Sequence, residues 1–290
     1  MHHHSYHWKI SLFPSMNRGG IIYLSMGGKA ATKRDIRKRY VKEREYMTDW
    51  YTDELFNNGI GKPLFAPVSR LICDMERIED DLKEEMSTVG MGVCYTHDHN
   101  LERFVDFKLE HKLDIIKKYY EPYHLMLTNY VAEAIVEHKC ALLIDCHSFS
   151  NTPYICDKYY DRWYELRRPD ICIGTDPEKT PEEIISIVKE YFVKLGYSVQ
   201  LNYPFSATIT PKSFYKDPRL LSIKLEVNRN LYFDWKDDKG VRKEEEFKLL
   251  KSHIYEAEKL LEDYMKVKSL NMEDLEPKLN THPYKIKRYV

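Results

Sequence analysis

Five stretches of the sequence gather side chains able to do chemistry. The first is Asp145-Cys146-His147-Ser148, directly after the apolar run 141–144. A histidine at the end of a buried strand is held rigidly, so it can ligate a metal or act as a base. A loop histidine with its hydrogen bonds satisfied is the plain alternative, and the fragment alone does not separate the two. The second is Glu226, in LSIKLEVNR at 221–229. Alternation there puts Ser222, Lys224, Glu226 and Asn228 on one side and Ile223, Leu225 and Val227 on the other. An edge strand with a solvated face reads the same way. The third, Ser69-Arg70-Leu71-Ile72-Cys73-Asp74-Met75-Glu76-Arg77, sets two arginines around an apolar run and an aspartate. Guanidinium forks suit carboxylate recognition and oxyanion stabilisation, with a surface ion-pair cluster as the alternative. Asp49, with Asp53 one turn later, opens a helix, where an acid is stabilising for its own sake. The fifth, Asn202-Tyr203-Pro204-Phe205-Ser206, is a turn whose polar and aromatic groups can line a cleft.

Hydrophobic periodicity predicts the elements that must position these groups. Residues 21–25 (IIYLS) read as a buried strand running into Gly27-Gly28. Thr48-Asp49 opens a short helix over 50–57, stopped by Asn58-Gly59. Residues 63–68 and 71–73 read as strand. From 109 to 138 runs a helical pattern (Leu113, Ile116, Tyr120, Tyr123, Leu127, Tyr130, Val131, Ala134, Ile135), which Pro122 is expected to kink or break. Residues 140–145 (CALLID) form the strongest strand, with others at 171–174, 198–201 and 221–227. Thr180-Pro181-Glu182-Glu183 announces a helix by a capping threonine, a first-turn proline and a capping-box glutamate. Its stripe is Ile184, Ile187, Val188, Tyr191, Phe192 and Leu195. A last amphipathic helix begins at Glu244, with Phe247, Leu250, Ile254, Ala257, Leu261 and Tyr264 on one face. Strands alternating with helices predict an α/β fold of three αβα layers around a mixed central sheet. Ligands in such folds bind at the C-terminal ends of strands.

The 290 residues carry no Pro/Gly/Ser-rich linker, so one large domain is expected, at 21–270, after an N-terminal segment 1–20 and before a tail 271–290. The tag-like start Met1-His2-His3-His4 is set aside. Forty-five basic residues against 46 acidic ones give a net charge of −1, which excludes an overall nucleic-acid-binding surface. Lys33, Arg34, Arg37, Lys38 and Arg39 read as a solvated helix face. No apolar run approaches the roughly 20 residues of a membrane span, and no secretory leader is read. Six cysteines without a CxxC pair suit a reducing compartment, hence the cytoplasm.

Taken in order, the motifs resemble the N-formylglutamate amidohydrolase family over most of the chain, from about Ile21 to Asp234. The matching pieces are Thr48-Asp49-Trp50-Tyr51-Thr52-Asp53-Glu54-Leu55, Pro67-Val68-Ser69-Arg70, Asp74-Met75-Glu76-Arg77 and Val89-Gly90-Met91-Gly92-Val93. They continue with Leu143-Ile144-Asp145-Cys146-His147-Ser148, Ile173-Gly174-Thr175, Leu201-Asn202-Tyr203-Pro204-Phe205-Ser206 and Lys224-Leu225-Glu226-Val227-Asn228-Arg229. The strand-His-Ser and strand-Glu pieces look like the zinc carboxypeptidase core shared by that family. The resemblance implies a zinc ion held by His147 and Asp49, lowering the pKa of a bound water. Glu226 is then the general base and Arg70 the oxyanion stabiliser. Arg77 grips a substrate carboxylate, with Arg229 a second candidate, and Asn202 and Ser206 line the substrate pocket. The family carries Pro-His, a small residue and Gly at the end of its first strand, and that His is the first metal ligand. Here the strand at 21–25 ends Leu24-Ser25-Met26-Gly27-Gly28, which leaves Met26, a poor zinc ligand beside a carboxylate, in that place. The implied reaction takes N-formyl-L-glutamate to formate and L-glutamate, a late step in histidine breakdown, in a monomer or small homo-oligomer. The alternatives are a metal-deficient homologue that binds a carboxylate ligand without cleaving it, and a hydrolase of the same type acting on a peptide or cell-wall amide.

Overall fold

Short apolar runs bracketed by turn residues form the strands, and these assemble into one mixed sheet. The computed structural model describes residues 9–13, 33–106, 108–157, 167–236 and 239–273. Its strands are β1 (Lys9–Phe13), β2 (Lys62–Phe65), β3 (Ala141–Phe149), β4 (Ile171–Gly174), β5 (Val199–Leu201) and β6 (Leu220–Asn228). They lie side by side in the order β2-β1-β3-β6-β4-β5. All neighbours are parallel except β4 and β6. A hairpin of β7 (Phe233–Lys236) and β8 (Lys239–Arg242) stands apart from this sheet. The helices are α1 (Lys33–Met47), α2 (Thr52–Leu55), α3 (Leu109–Ile115), α4 (Glu121–His138), α5 (Glu182–Lys194) and α6 (Glu244–Glu273).

The expected three layers follow from how the strands alternate. On one face Leu142, Ile144, Ile223 and Leu225 pack with Ile184, Val188 and Phe192 of α5 and Phe247, Leu250, Ile254 and Leu261 of α6. On the other, Ala141, Leu143 and Leu220 pack with Leu127, Val131, Ala134 and Ile135 of α4. Both central strands are buried along all nine residues. Glu226 therefore lies on an interior strand with a partner on each side, and the edge-strand alternative falls.

Several local expectations change. The strand read at 21–25, with Met26, lies outside the described residues. The strand beside β3 is Lys9–Phe13, followed in sequence by Pro14-Ser15. Residues 71–73 are a turn, because the Ile72 and Cys73 amides bend back to the Ser69 carbonyl. The helix at 50–57 shrinks to one turn, and Gly59 beyond it takes the left-handed conformation with φ 74°. Thr180 does not cap α5; its hydroxyl bridges the Asp176 amide and the Ser222 carbonyl. The stretch from 109 to 138 stays helical through Pro122 because a π turn, Ile116–Tyr120, joins α3 to α4. The wider hydrogen-bond spacing of that turn places proline's missing N–H where the ladder is already interrupted. The extra residue also rotates the preceding turn, so Leu113 is 54% exposed and Ile115 is buried.

Candidate active site

On the α4 face of the sheet, the apolar side chains of the β3–β6 pair give way to charge. The register sets Asp145 beside Lys224 and His147 beside Glu226. Side chains alternate along a strand, so these four share one face. The strand β3 runs on to Phe149, which places Asp145 and His147 on the strand itself, where backbone pairing fixes them.

Two loops close over this square. Asp49 precedes α2, but its carboxylate caps nothing there. One oxygen instead accepts from the Ser148 amide at 3.2 Å and lies 3.3 Å from the Ser148 hydroxyl. The other accepts from Arg70 Nη2 at 2.8 Å and lies 3.6 Å from His147 Nδ1. The turn after Ser69 delivers Arg70, whose Nη2 also reaches Glu76 Oε1 at 3.3 Å. On the opposite side of the imidazole, Nε2 is 2.8 Å from Asp145 Oδ1 and 3.3 Å from Glu76 Oε1. Lys224 Nζ sits 3.2 Å from Glu76 Oε2 and 3.4 Å from Asp145 Oδ2.

Buried charges persist only when paired, and here they form one network. Burial works to raise the Asp49 carboxyl, but Arg70 and His147 outweigh it and hold it down at about 2. Burial likewise opposes charge on His147, and Glu76 and Asp145 overcome it, keeping the ring protonated far above its ordinary range. Glu226 goes the other way. Burial pushes its carboxyl up to about 7 against the opposing charges of His147 and Lys224. A group poised near neutrality inside a buried charged cluster has the property of a proton carrier.

One oxygen each of Glu76 and Asp145 and a ring nitrogen of His147 all lie within 4.8 Å of one another, a grouping able to hold a metal ion. An imidazole among carboxylates is a donor set that suits a divalent ion. Asp145 on Nε2 is also the arrangement that orients a ligating imidazole and leaves Nδ1 for the metal. The 3.6 Å between Nδ1 and Asp49 Oδ2 exceeds a hydrogen bond but can be bridged by two ligand bonds of about 2 Å. The residues fit a metal.

The remaining sequence candidates are held as follows. Arg77 Nε donates to the Met91 carbonyl at 3.1 Å and Nη2 to the Tyr95 hydroxyl at 3.2 Å, with Asp74 3.5 Å away. Arg229 Nη1 donates to the carbonyls of Tyr46 and Thr48, both at 3.0 Å, so it fixes the backbone that carries Asp49. Asn202 clasps Thr175, its amide oxygen on the backbone N–H and its nitrogen on the hydroxyl. Ser206 is exposed. Sequence reasoning assigned no role to Asp145, Glu76 or Lys224. The i, i+2 spacing with His147 and Glu226 was the available signal for Asp145 and Lys224. Glu76 had none, because its place depends on the turn after Ser69.

The model of the N-formylglutamate amidohydrolase family matches residues 30–233. The chain belongs to that family. It is a hydrolase of the N-formylglutamate amidohydrolase type, with the α/β architecture expected for one. The crystal structure of N-formylglutamate amidohydrolase from Ralstonia eutropha JMP134 superposes with a TM-score of 0.69 at 20% identity, covering 89% of this chain and 94% of that one. A gene product of Agrobacterium tumefaciens gives a TM-score of 0.51 at 15% identity over 73% of this chain and 76% of its own. At these identities the two likenesses speak for the fold. No curated protein matches the chain. Among the described residues no helix is long and apolar enough to cross a membrane.

Proposed function

We propose that this chain hydrolyses the N-acyl bond of a small acidic amino acid, N-formyl-L-glutamate first among the candidates, with formate and L-glutamate as products. The observation that carries the reading is Glu226, pushed to about 7 and register-paired with His147 on a buried strand. Glu226 takes a proton from the attacking water and delivers it to the leaving nitrogen. Arg70 sets positive charge beside the carbonyl oxygen as it becomes an oxyanion. Asp49 and His147 would hold a zinc ion, which supplies a water of lowered pKa and polarises the carbonyl. Arg77, braced by Asp74 and Tyr95, would meet a substrate carboxylate. The six cysteines are free thiols, five of them buried, which supports a reducing compartment such as the cytoplasm.

The test supplies purified chain and zinc with N-formyl-L-glutamate and follows formate release. Release by the parent and its loss in Glu226→Gln, with zinc content unchanged, is the expected result. Absence of release from N-formyl-glutamate and N-formyl-aspartate alike sinks the reading.

A further inference from the structure

Asp49 is carried by a stretch of chain, residues 48–51 between α1 and α2, that belongs to neither helix nor strand. Its end is strained: Tyr51 stands at φ 60° and ψ 14°, the left-handed region that a residue with a side chain adopts at a cost. Such a conformation persists only where surrounding contacts over-determine it. Here every carbonyl from Thr48 to Trp50 has a donor against it. Arg229 Nη1 holds that of Thr48 at 3.0 Å, and the Thr52 hydroxyl holds that of Asp49 at 3.0 Å. The Tyr232 hydroxyl donates to that of Trp50 at 2.7 Å. Tyr232 is wholly buried, with its ring against Phe247 at 5.8 Å between centroids. Its N–H donates to the Arg229 carbonyl at 3.1 Å and closes the short 3-10 turn Arg229–Leu231. Burial raises the pKa of the phenol, Ser148 and Arg229 draw it down, and the charges of Asp49 and Glu226 add to the rise, so the hydroxyl stays a neutral donor. The two groups that grip the carbonyls before and after Asp49 thus both leave from one turn. That turn begins where β6, the strand of Glu226, ends.

We infer that Tyr232 is a positioning residue, which pins the backbone of Asp49 through the Trp50 carbonyl to the turn after β6. Asp49 and Glu226 are then set against each other by one continuous piece of chain. Arg229 fixes the near side of Asp49 and Tyr232 the far side. With one grip alone the strained segment would pivot about it, drawing the carboxylate off the Ser148 amide and Arg70. The kinetic consequence rests on the proposed function; the placement itself does not.

The Ser148 amide donates to Asp49 Oδ1, so its hydrogen exchange reports the placement of Asp49 without substrate. Exchange is followed by NMR in the metal-stripped full chain and in Tyr232→Phe, which keeps the ring and removes the donor. Exchange at Ser148 is expected to quicken by about tenfold or more in the variant, while the β3–β6 ladder around Ile144 and Ile223 stays within about twofold. A hydroxyl that only stabilises the fold would quicken all of these amides together or leave Ser148 unchanged, and either result overturns the inference. In formate release the variant should lose about tenfold in kcat with KM within about threefold. An unchanged kcat in an active chain also overturns it. Failure of the parent to release formate sinks the proposed reaction instead, and the exchange result then decides the inference by itself. Should Tyr232→Phe fold poorly, exchange of the parent in low urea is read in its place. Ser148 should open only together with the ladder, and opening at least about tenfold more readily means that the segment is not pinned.

Discussion

At one end the β3–β6 ladder pairs Leu142 with Leu221 and Ile144 with Ile223, and at the other it pairs Asp145 with Lys224 and His147 with Glu226. The backbone is the same, and both ends are buried. The apolar end gains from leaving water, at roughly 25 cal/mol per Å² of apolar surface. The charged end loses by the same removal and survives through mutual pairing. One ladder can therefore anchor the fold and hold a strained electrostatic arrangement, because the first end fixes the register that the second requires. A slip of β6 by one residue would turn Lys224 and Glu226 toward the α5–α6 layer, away from Asp145 and His147.

The sharpest way to break this division of labour is Glu226→Gln. Turnover should fall by about 10² to 10⁴-fold, as measured by formate release. Stability should move differently. Because the folded carboxyl titrates near 7, above its unfolded value of about 4.5, the protonated form stabilises the fold fully at low pH, and that contribution is lost as pH rises through 7. In metal-stripped protein the glutamine variant should match the parent in urea at pH 4. At pH 8 it should exceed the parent, by on the order of 3 kcal/mol at most. A glutamine variant that is no more stable at pH 8 means that burial does not raise the Glu226 carboxyl.

Asp49→Asn should cost about 3–5 kcal/mol at pH 7, because it leaves Arg70 and His147 short of a buried countercharge. The carboxyl is depressed to about 2, so its contribution is present above about 4 and is lost as pH falls toward 2. Urea curves for the variant and the parent should converge over that interval. Leu143→Ala tests the apolar end. A loss of about 2–5 kcal/mol in unfolding free energy is expected, with the rate per folded molecule nearly unchanged. A large fall in kcat there would show that the two ends are not separable. The smallest effect belongs to Arg229→Lys. Both bonds come from Nη1 alone, and the shorter lysine stem does not carry its ammonium as far as that atom, so a loss of about 1 kcal/mol is expected, with a raised KM read from initial rates.

Much of this ladder was legible beforehand. CALLID and the alternation around Glu226 announced two strands, and the motif order singled out Asp49, Arg70, His147 and Glu226, which the fold sets close together. Three things were not legible. The sequence shows no pairing, so that β6 lies against β3, and Lys224 against Asp145, appears only in the register. Glu76 enters through a turn whose hydrogen bonds are local to Ser69 and leave no periodic trace. The strand Lys9–Phe13 is five residues long and follows a histidine run set aside as tag-like, while IIYLS offered a stronger apolar signal. The arginines teach a related lesson. Residue type announced guanidinium forks, but Arg229 commits its Nη1 to two backbone carbonyls, which composition cannot foretell.

The stitching of Arg229 to the carbonyls of Tyr46 and Thr48 has a consequence for how the chain emerges from the ribosome. Asp49, Glu76, Asp145 and His147 are all synthesised well before Lys224, Glu226 and Arg229. Until β6 arrives, the acids on β3 and the Ser69 turn lack their ammonium, and the segment carrying Asp49 lacks its anchor. Parallel neighbours so distant in sequence cannot pair early. A nascent chain can build the α3–α4 helices as it emerges, but the charged half of the sheet must wait for its last long strand.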